Sequence, residues 1–144
     1  MPTHTDSQLL SYTPQQLFDL VADVARYPEF LPWCKAARVL ERKEDGFLGE
    51  LVIHYKGLGE SYTSQVTLTP HTAIDVVMVR GPFEYLTNYW RFTPEGKGTR
   101  VDFDLDFKFR SKMLEMMMGG FFLKASEKMM EAFKSRAAVL YSGH

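Results

Sequence analysis

The chain predicts an α+β helix-grip fold, a curved seven-stranded antiparallel sheet wrapped around a long C-terminal helix. Three observations lead there. A polar segment near the start and six later alternating segments are separated by turn signals, the pattern of hairpin-connected antiparallel strands. In the clearest of them, Arg100 to Phe109, Val101, Phe103, Leu105, Phe107 and Phe109 alternate with Asp102, Asp104, Asp106 and Lys108, so one face is buried and the other wet. From Ser111 to Tyr141 the period becomes helical with no proline, and such a helix must bury its apolar face. A sheet curved around it does so economically and leaves a wedge-shaped space of the kind ligands occupy.

The elements follow in order. Residues 3 to 11 read as a polar edge strand. Pro14 suits the first turn of a short helix near residues 14 to 25, in which Leu17, Phe18, Leu20, Val21 and Val24 recur at helical spacing. Tyr27 to Trp33 is a proline-stiffened connection, because Pro28 and Pro32 fix their own φ and push the preceding residue toward extended geometry. Strands are expected at Ala36 to Arg42, Phe47 to Lys56, Ser61 to Thr69, Ala73 to Arg80, Phe83 to Phe92 and Arg100 to Phe109. The breaks fall at Glu44-Asp45-Gly46, Gly57-Leu58-Gly59, Pro70, Gly81-Pro82 and Pro94-Glu95-Gly96-Lys97-Gly98.

Composition narrows the function classes. At 144 residues the chain reads as one domain, 1–144, and its 45% hydrophobic content excludes disorder. A formal net charge of -1 gives no global pull toward DNA or anionic lipid, so any such partner needs a local patch. Cys34 is the lone cysteine, which leaves no internal disulfide and fits a reducing compartment. The first residues carry neither a basic end nor an apolar stretch, and the expectation is a cytoplasmic protein.

Six of the eight methionines, at 113, 116, 117, 118, 129 and 130, lie in the terminal helix, and Met116 to Leu123 is apolar nearly all round. The run is shorter than the roughly 20 residues of a membrane span. One reading is a core helix with an exposed apolar bump that serves as a subunit contact. The other is a hinged lip over a cavity, with Gly119-Gly120 as its weak point and Lys112 and Lys124 as interfacial anchors for peripheral contact with the inner membrane.

The segment Tyr27-Pro28-Glu29-Phe30-Leu31-Pro32-Trp33-Cys34, with Gly81-Pro82-Phe83-Glu84-Tyr85-Leu86, Trp90-Arg91-Phe92-Thr93-Pro94 and Val101 to Phe107, resembles the coenzyme Q-binding START-domain family. That family belongs to the polyketide cyclase-like group, with the bacterial ribosome-association toxins. The resemblance runs from about residue 3 to residue 140. It implies a START/Bet v 1-like helix-grip fold with an apolar tunnel, binding of ubiquinone or a related polyprenyl lipid without catalysis, and a quinone carrier or chaperone role supporting cellular respiration. The toxin branch implies the alternative, a ribosome partner and inhibition of translation. Because the first strand begins within a few residues of Met1, the chain resembles the bacterial form, and mitochondrial targeting is not carried over.

Strand parity and the resemblance together place Pro32, Trp33, Tyr55, Leu86, Trp90, Phe107, Met117, Phe121, Ala125 and Met129 around the ligand. Tyr55 and Trp90 carry polar tips that either contact a quinone carbonyl or are satisfied within the core. No catalytic residue and no metal or cofactor is assigned. His54 alternates outward, the other histidines lie at a turn or the chain ends, and no His-x-x-x-His pair or Gly-x-Ser-x-Gly elbow occurs. Cys34 lacks an evident histidine beside it and reads as a small buried residue, while Asp102, Asp104 and Asp106 read as a solvated strand face. Basic residues Arg110, Lys112, Lys124, Lys128, Lys134 and Arg136 gather toward the terminal helix, mixed with Glu115, Glu127 and Glu131. They offer RNA a local patch in an otherwise slightly acidic chain.

Overall fold

The computed structural model describes residues 3–55 and 58–141, without the side chains of Tyr55 and Leu58. Strand β1 (Thr3–Leu10) leads into helix α1 (Pro14–Ala22). Strands β2 (Cys34–Lys43), β3 (Gly46–Tyr55), β4 (Leu58–Thr69), β5 (Ala73–Arg80), β6 (Phe83–Glu95) and β7 (Gly98–Phe109) then precede helix α2 (Lys112–Tyr141). Among the described residues they form a seven-stranded sheet in the order β1-β7-β6-β5-β4-β3-β2. All neighbours are antiparallel. Strands β2 to β7 are a meander, and β1 returns beside β7, so the chain has the expected helix-grip architecture.

Helix α1 begins with a capping box. The Thr13 hydroxyl accepts from the Gln16 backbone N–H at 3.1 Å, and the Gln16 side chain accepts from the Thr13 N–H at 3.0 Å. It ends at Ala22, earlier than periodicity suggests, and a 3-10 turn over Val24–Glu29 replaces the extended connection expected there. Pro28 fits inside it because proline's fixed φ of about −65° is also a 3-10 value. The turn is closed by the Phe30 and Leu31 N–H groups, which donate to the Tyr27 carbonyl at 3.2 and 2.9 Å, and the buried Tyr27 hydroxyl donates to the Val21 carbonyl.

The β6–β7 hairpin is longer than its turn signals suggest. Pairing continues through Pro94 opposite Thr99 to Glu95 opposite Gly98. The reversal needs Gly96 at a φ of 61°, where a side chain would be strained.

Helix α2 buries Met118, Phe122, Ala125, Ser126, Met130, Phe133 and Ala137, one stripe at helical spacing. Its close backbone approaches are to β7, β1 and α1, so it is docked on one half of the sheet. At its far end the Tyr141 hydroxyl donates to the Gln16 carbonyl at 3.0 Å. The stretch from Met116 to Leu123 is therefore not uniform. Met118 and Phe122 point into the core, while Met116 is 86% exposed. Below Phe122 lies a ring cluster, with Phe107 at 4.7 Å and Phe83 at 5.0 Å between centroids.

Candidate functional site

Between the concave sheet face and α2 is a chamber of about 90 Å³. Alternate residues of neighbouring strands build its back wall: Gly49, Leu51 and Ile53 of β3, Tyr62, Ser64 and Val66 of β4, Ile74 and Val76 of β5, and Leu86, Asn88 and Trp90 of β6. Phe121, Ala125, Met129 and Phe133 of α2 roof it, and Tyr27, Leu31 and Trp33 close the front. A second, open trough of about 610 Å³ lies outside, lined by Pro32, Met116, Met117, Gly120, Lys124 and Lys128. Trp33, Phe121 and Ala125 line both spaces, so these three side chains form the partition between them.

Size shows what that partition does. An engineered apolar cavity of about 150 Å³ holds one benzene ring, and small-molecule and cofactor sites occupy roughly 300–1,000 Å³. The chamber alone is smaller than the first figure, whereas the trough falls within the second range. A lipid-sized ligand would need both spaces, joined by movement of half-buried Trp33 and Phe121.

Of the residues expected around a ligand, Trp33, Leu86, Trp90, Phe121, Ala125 and Met129 are brought together on the chamber wall, and Pro32 and Met117 line the trough. Phe107 is not on the wall. Its parity is right, but at 1% exposure it is sealed in the ring cluster beneath Phe122. The Tyr55 side chain lies outside the described residues. Strand parity could also have found Ser64, which falls between Tyr62 and Val66, yet a small polar residue gives no hydrophobic signal. Gly49 and Asn88 were missed for similar reasons of size and polarity, whereas Tyr27 and Leu31 belong to the proline-stiffened segment whose apolar residues suggest a pocket rim.

Among the described residues the chamber wall carries no carboxylate, imidazole, amine or guanidinium. Its polar atoms are mostly committed. The Trp90 indole N–H donates to Asn88 Oδ1 at 2.9 Å, so its polar tip is satisfied within the wall, and Asn88 Nδ2 donates to the Asp104 carbonyl at 3.0 Å. The Ser126 hydroxyl donates to the Phe122 carbonyl at 2.8 Å. Burial pushes the Tyr27 and Tyr62 phenols well above the usual range. Cys34, just behind Trp33, is buried, and that burial raises its thiol to about 11, so it stays protonated at neutral pH. The arrangement is suited to holding an apolar body, and no pair of groups on the wall is poised for proton transfer near pH 7.

The chain is 45% identical to the ribosome association toxin of Rickettsia prowazekii, covering 91% of this chain and 92% of that one. It is 30% identical to the mitochondrial coenzyme Q-binding protein COQ10 homolog B of Xenopus laevis, covering 96% of this chain and 59% of that one. The solution structure of the 18 kDa protein CC1736 from Caulobacter crescentus is 36% identical, with a TM-score of 0.78 over 99% of this chain and 100% of that one. The Zhui aromatase/cyclase of a Streptomyces species shares the fold, with a TM-score of 0.84 at 17% identity over 99% of this chain and 98% of that one. The Rickettsia and Xenopus relatives are named for ribosome association and coenzyme Q binding respectively, whereas the Streptomyces fold neighbour is named an aromatase/cyclase. With a helix-grip frame, an apolar chamber beneath its long helix and a family match over residues 10–134, the chain belongs to the polyketide cyclase / dehydrase and lipid transport family.

Proposed function

We propose that this protein binds the ribosome and inhibits translation. The observation carrying this reading is its likeness, over nearly the whole chain, to bacterial proteins named ribosome association toxins, at 45% identity in Rickettsia prowazekii and 39% in Pseudomonas aeruginosa. The surface is compatible with RNA. Lys112, Lys124, Lys128 and Lys134 are exposed along α2, and none has an ion-pair partner among the described residues. Phosphate contacts by such lysines release counterions, so binding should weaken steeply with salt. Purified protein sedimented with ribosomes through sucrose gradients is expected to travel with ribosomal particles at low salt and to leave them at high salt. Protein that stays at the top of the gradient at every salt concentration refutes the reading.

A second reading has its own observation, an apolar chamber and an open trough parted only by Trp33, Phe121 and Ala125. In it the protein takes up a polyprenyl quinone or another apolar lipid without changing it, as the name of the Xenopus relative suggests. Met116, Met117 and Leu123 would touch a membrane peripherally, since no helix among the described residues is long and apolar enough to cross one. Organic extraction of purified protein followed by mass spectrometry is expected to recover a stoichiometric lipid. An empty extract together with no saturable uptake of added prenyl quinone refutes it.

A further inference from the structure

The chamber wall has one buried polar side chain with nothing to bond. Ser64 is 5% exposed, and its Oγ has no hydrogen-bond partner among the described residues. A hydroxyl in that position carries a desolvation cost until something in the chamber supplies a partner. Two features of the sheet set its surroundings. Ser64 pairs with Gly49 across the β3–β4 ladder, so the neighbouring wall position has no side chain. A Cβ there would meet the Phe47 ring at 3.1 Å and Val24 at 3.8 Å. On the other side the β4–β5 register steps between Thr63 opposite Arg80 and Ser64 opposite Met78, leaving Val79 as the extra residue. Such irregularities re-aim side chains next to binding sites.

We propose that Ser64 is the polar anchor of the chamber, its Oγ hydrogen-bonding the uncharged oxygen head of an amphipathic ligand. The tail of that ligand runs out past Trp33 and Phe121 into the trough. This rests on the apolar-ligand reading and adds an orientation and a selection rule to it. The head is a carbonyl or hydroxyl because the wall offers no counter-charge, and burying a phosphate, carboxylate or ammonium unpaired is costly. The available cations, Lys124 and Lys128, stand at the trough instead. Trp90, Asn88, Ser126 and Tyr27 are already engaged, which leaves the half-buried Tyr62 phenol as the competing polar group on the wall. Any ring larger than the chamber displaces Trp33 and Phe121 and leaves Ser64 fixed within the sheet.

The test titrates farnesol, a farnesene hydrocarbon of the same carbon skeleton, and farnesyl phosphate against the wild-type protein, Ser64→Ala and Ser64→Thr. The readout is intrinsic fluorescence, since Trp33 and Trp90 both line the chamber. Ser64→Ala is expected to weaken farnesol binding about three- to tenfold, the worth of one neutral hydrogen bond, and to leave farnesene unchanged. Ser64→Thr restores the preference. The melting temperature of unliganded Ser64→Ala holds or rises, because an orphan hydroxyl is removed. Equal farnesol binding by wild type and Ser64→Ala overturns the anchor while leaving apolar binding intact. A parallel loss of farnesol and farnesene with a lowered melting temperature marks Ser64 as structural and also overturns it. Tightest binding of farnesyl phosphate, unaffected by Ser64→Ala, overturns the neutral-head rule. No saturable binding of any probe removes the apolar-ligand reading and the anchor with it.

Discussion

Truncating Phe122 to alanine removes a ring that is 8% exposed and packed 4.7 Å from Phe107, 5.0 Å from Phe83 and 6.0 Å from Phe109 between centroids. Loss of a core phenylalanine costs about 3–5 kcal/mol through lost transfer energy and a residual cavity. For a domain of this size that lowers Tm by roughly 6–20 °C. Phe121, one position earlier, is half-buried and turned toward the chamber and trough. Full burial of such a ring is worth roughly 1.5–3 kcal/mol, so truncating a half-buried one costs about 1 kcal/mol. Urea denaturation of Phe121→Ala and Phe122→Ala, compared at constant m, reads the difference directly. Phe121→Ala should also accelerate exchange of a bound apolar probe by opening the partition. Equal destabilisation by the two variants would refute the division of this helix turn into core and gate, as would a Phe121→Ala protein with unchanged exchange kinetics.

The remaining expectations are simpler. Gly119→Ala and Gly120→Ala each stabilise α2, by up to about 1 kcal/mol in thermal or urea melts, and slow probe uptake by stiffening the lip. A Cβ at Gly119 comes no closer than 3.7 Å to Glu115, and one at Gly120 meets nothing within 4 Å, so lost stability would show that the glycines serve packing. Cys34 should resist thiol reagents at pH 8. Burial raises its pKa from an ordinary 9.0 to about 11, so its contribution to stability is present below pH 9 and is lost as pH rises toward 11; fast labelling at pH 8 would contradict this. Arg136→Met should raise amide exchange at Phe30 and Leu31, because Arg136 Nη2 bonds Glu29 Oε1 at 2.6 Å and the guanidinium lies 5.2 Å from the Phe30 ring centroid. The Arg136 guanidinium also holds the Glu29 carboxyl below the usual carboxylate range, so the same loosening should appear in wild type as acid protonates Glu29; protection indifferent to both changes would discount the clamp.

Much of this was readable from residues alone, where the periodicity was strong. Strict alternation from Val101 to Phe109 identified β7, and the proline-free helical period from 111 to 141 identified α2. The 3-10 turn at Val24–Glu29 was not readable, because rules for proline separate helix from extended chain and a single 3-10 turn satisfies both. The end of β6 was hidden by Pro94, which reads as a breaker but is accommodated close to the hairpin reversal. On the site, the large apolar wall positions follow from parity. Ser64 and Gly49 do not stand out, since what distinguishes them is a missing bond and a missing side chain, and both depend on which strands lie alongside. The split between Phe121 and Phe122 depends on helix rotation, which a stretch apolar on every side leaves undetermined.

Docking of α2 on β7 and β1 has an evolutionary consequence. Although Phe103 and Leu105 of β7 reach the chamber, most of its strand residues, Leu51, Val66 and Val76 among them, come from β3 to β6, outside the strands that hold the helix. Mutations that resize the chamber can therefore accumulate in the middle of the gene without loosening the helix from its seat. A frame arranged in this way can change the shape of its chamber step by step, each intermediate still folded.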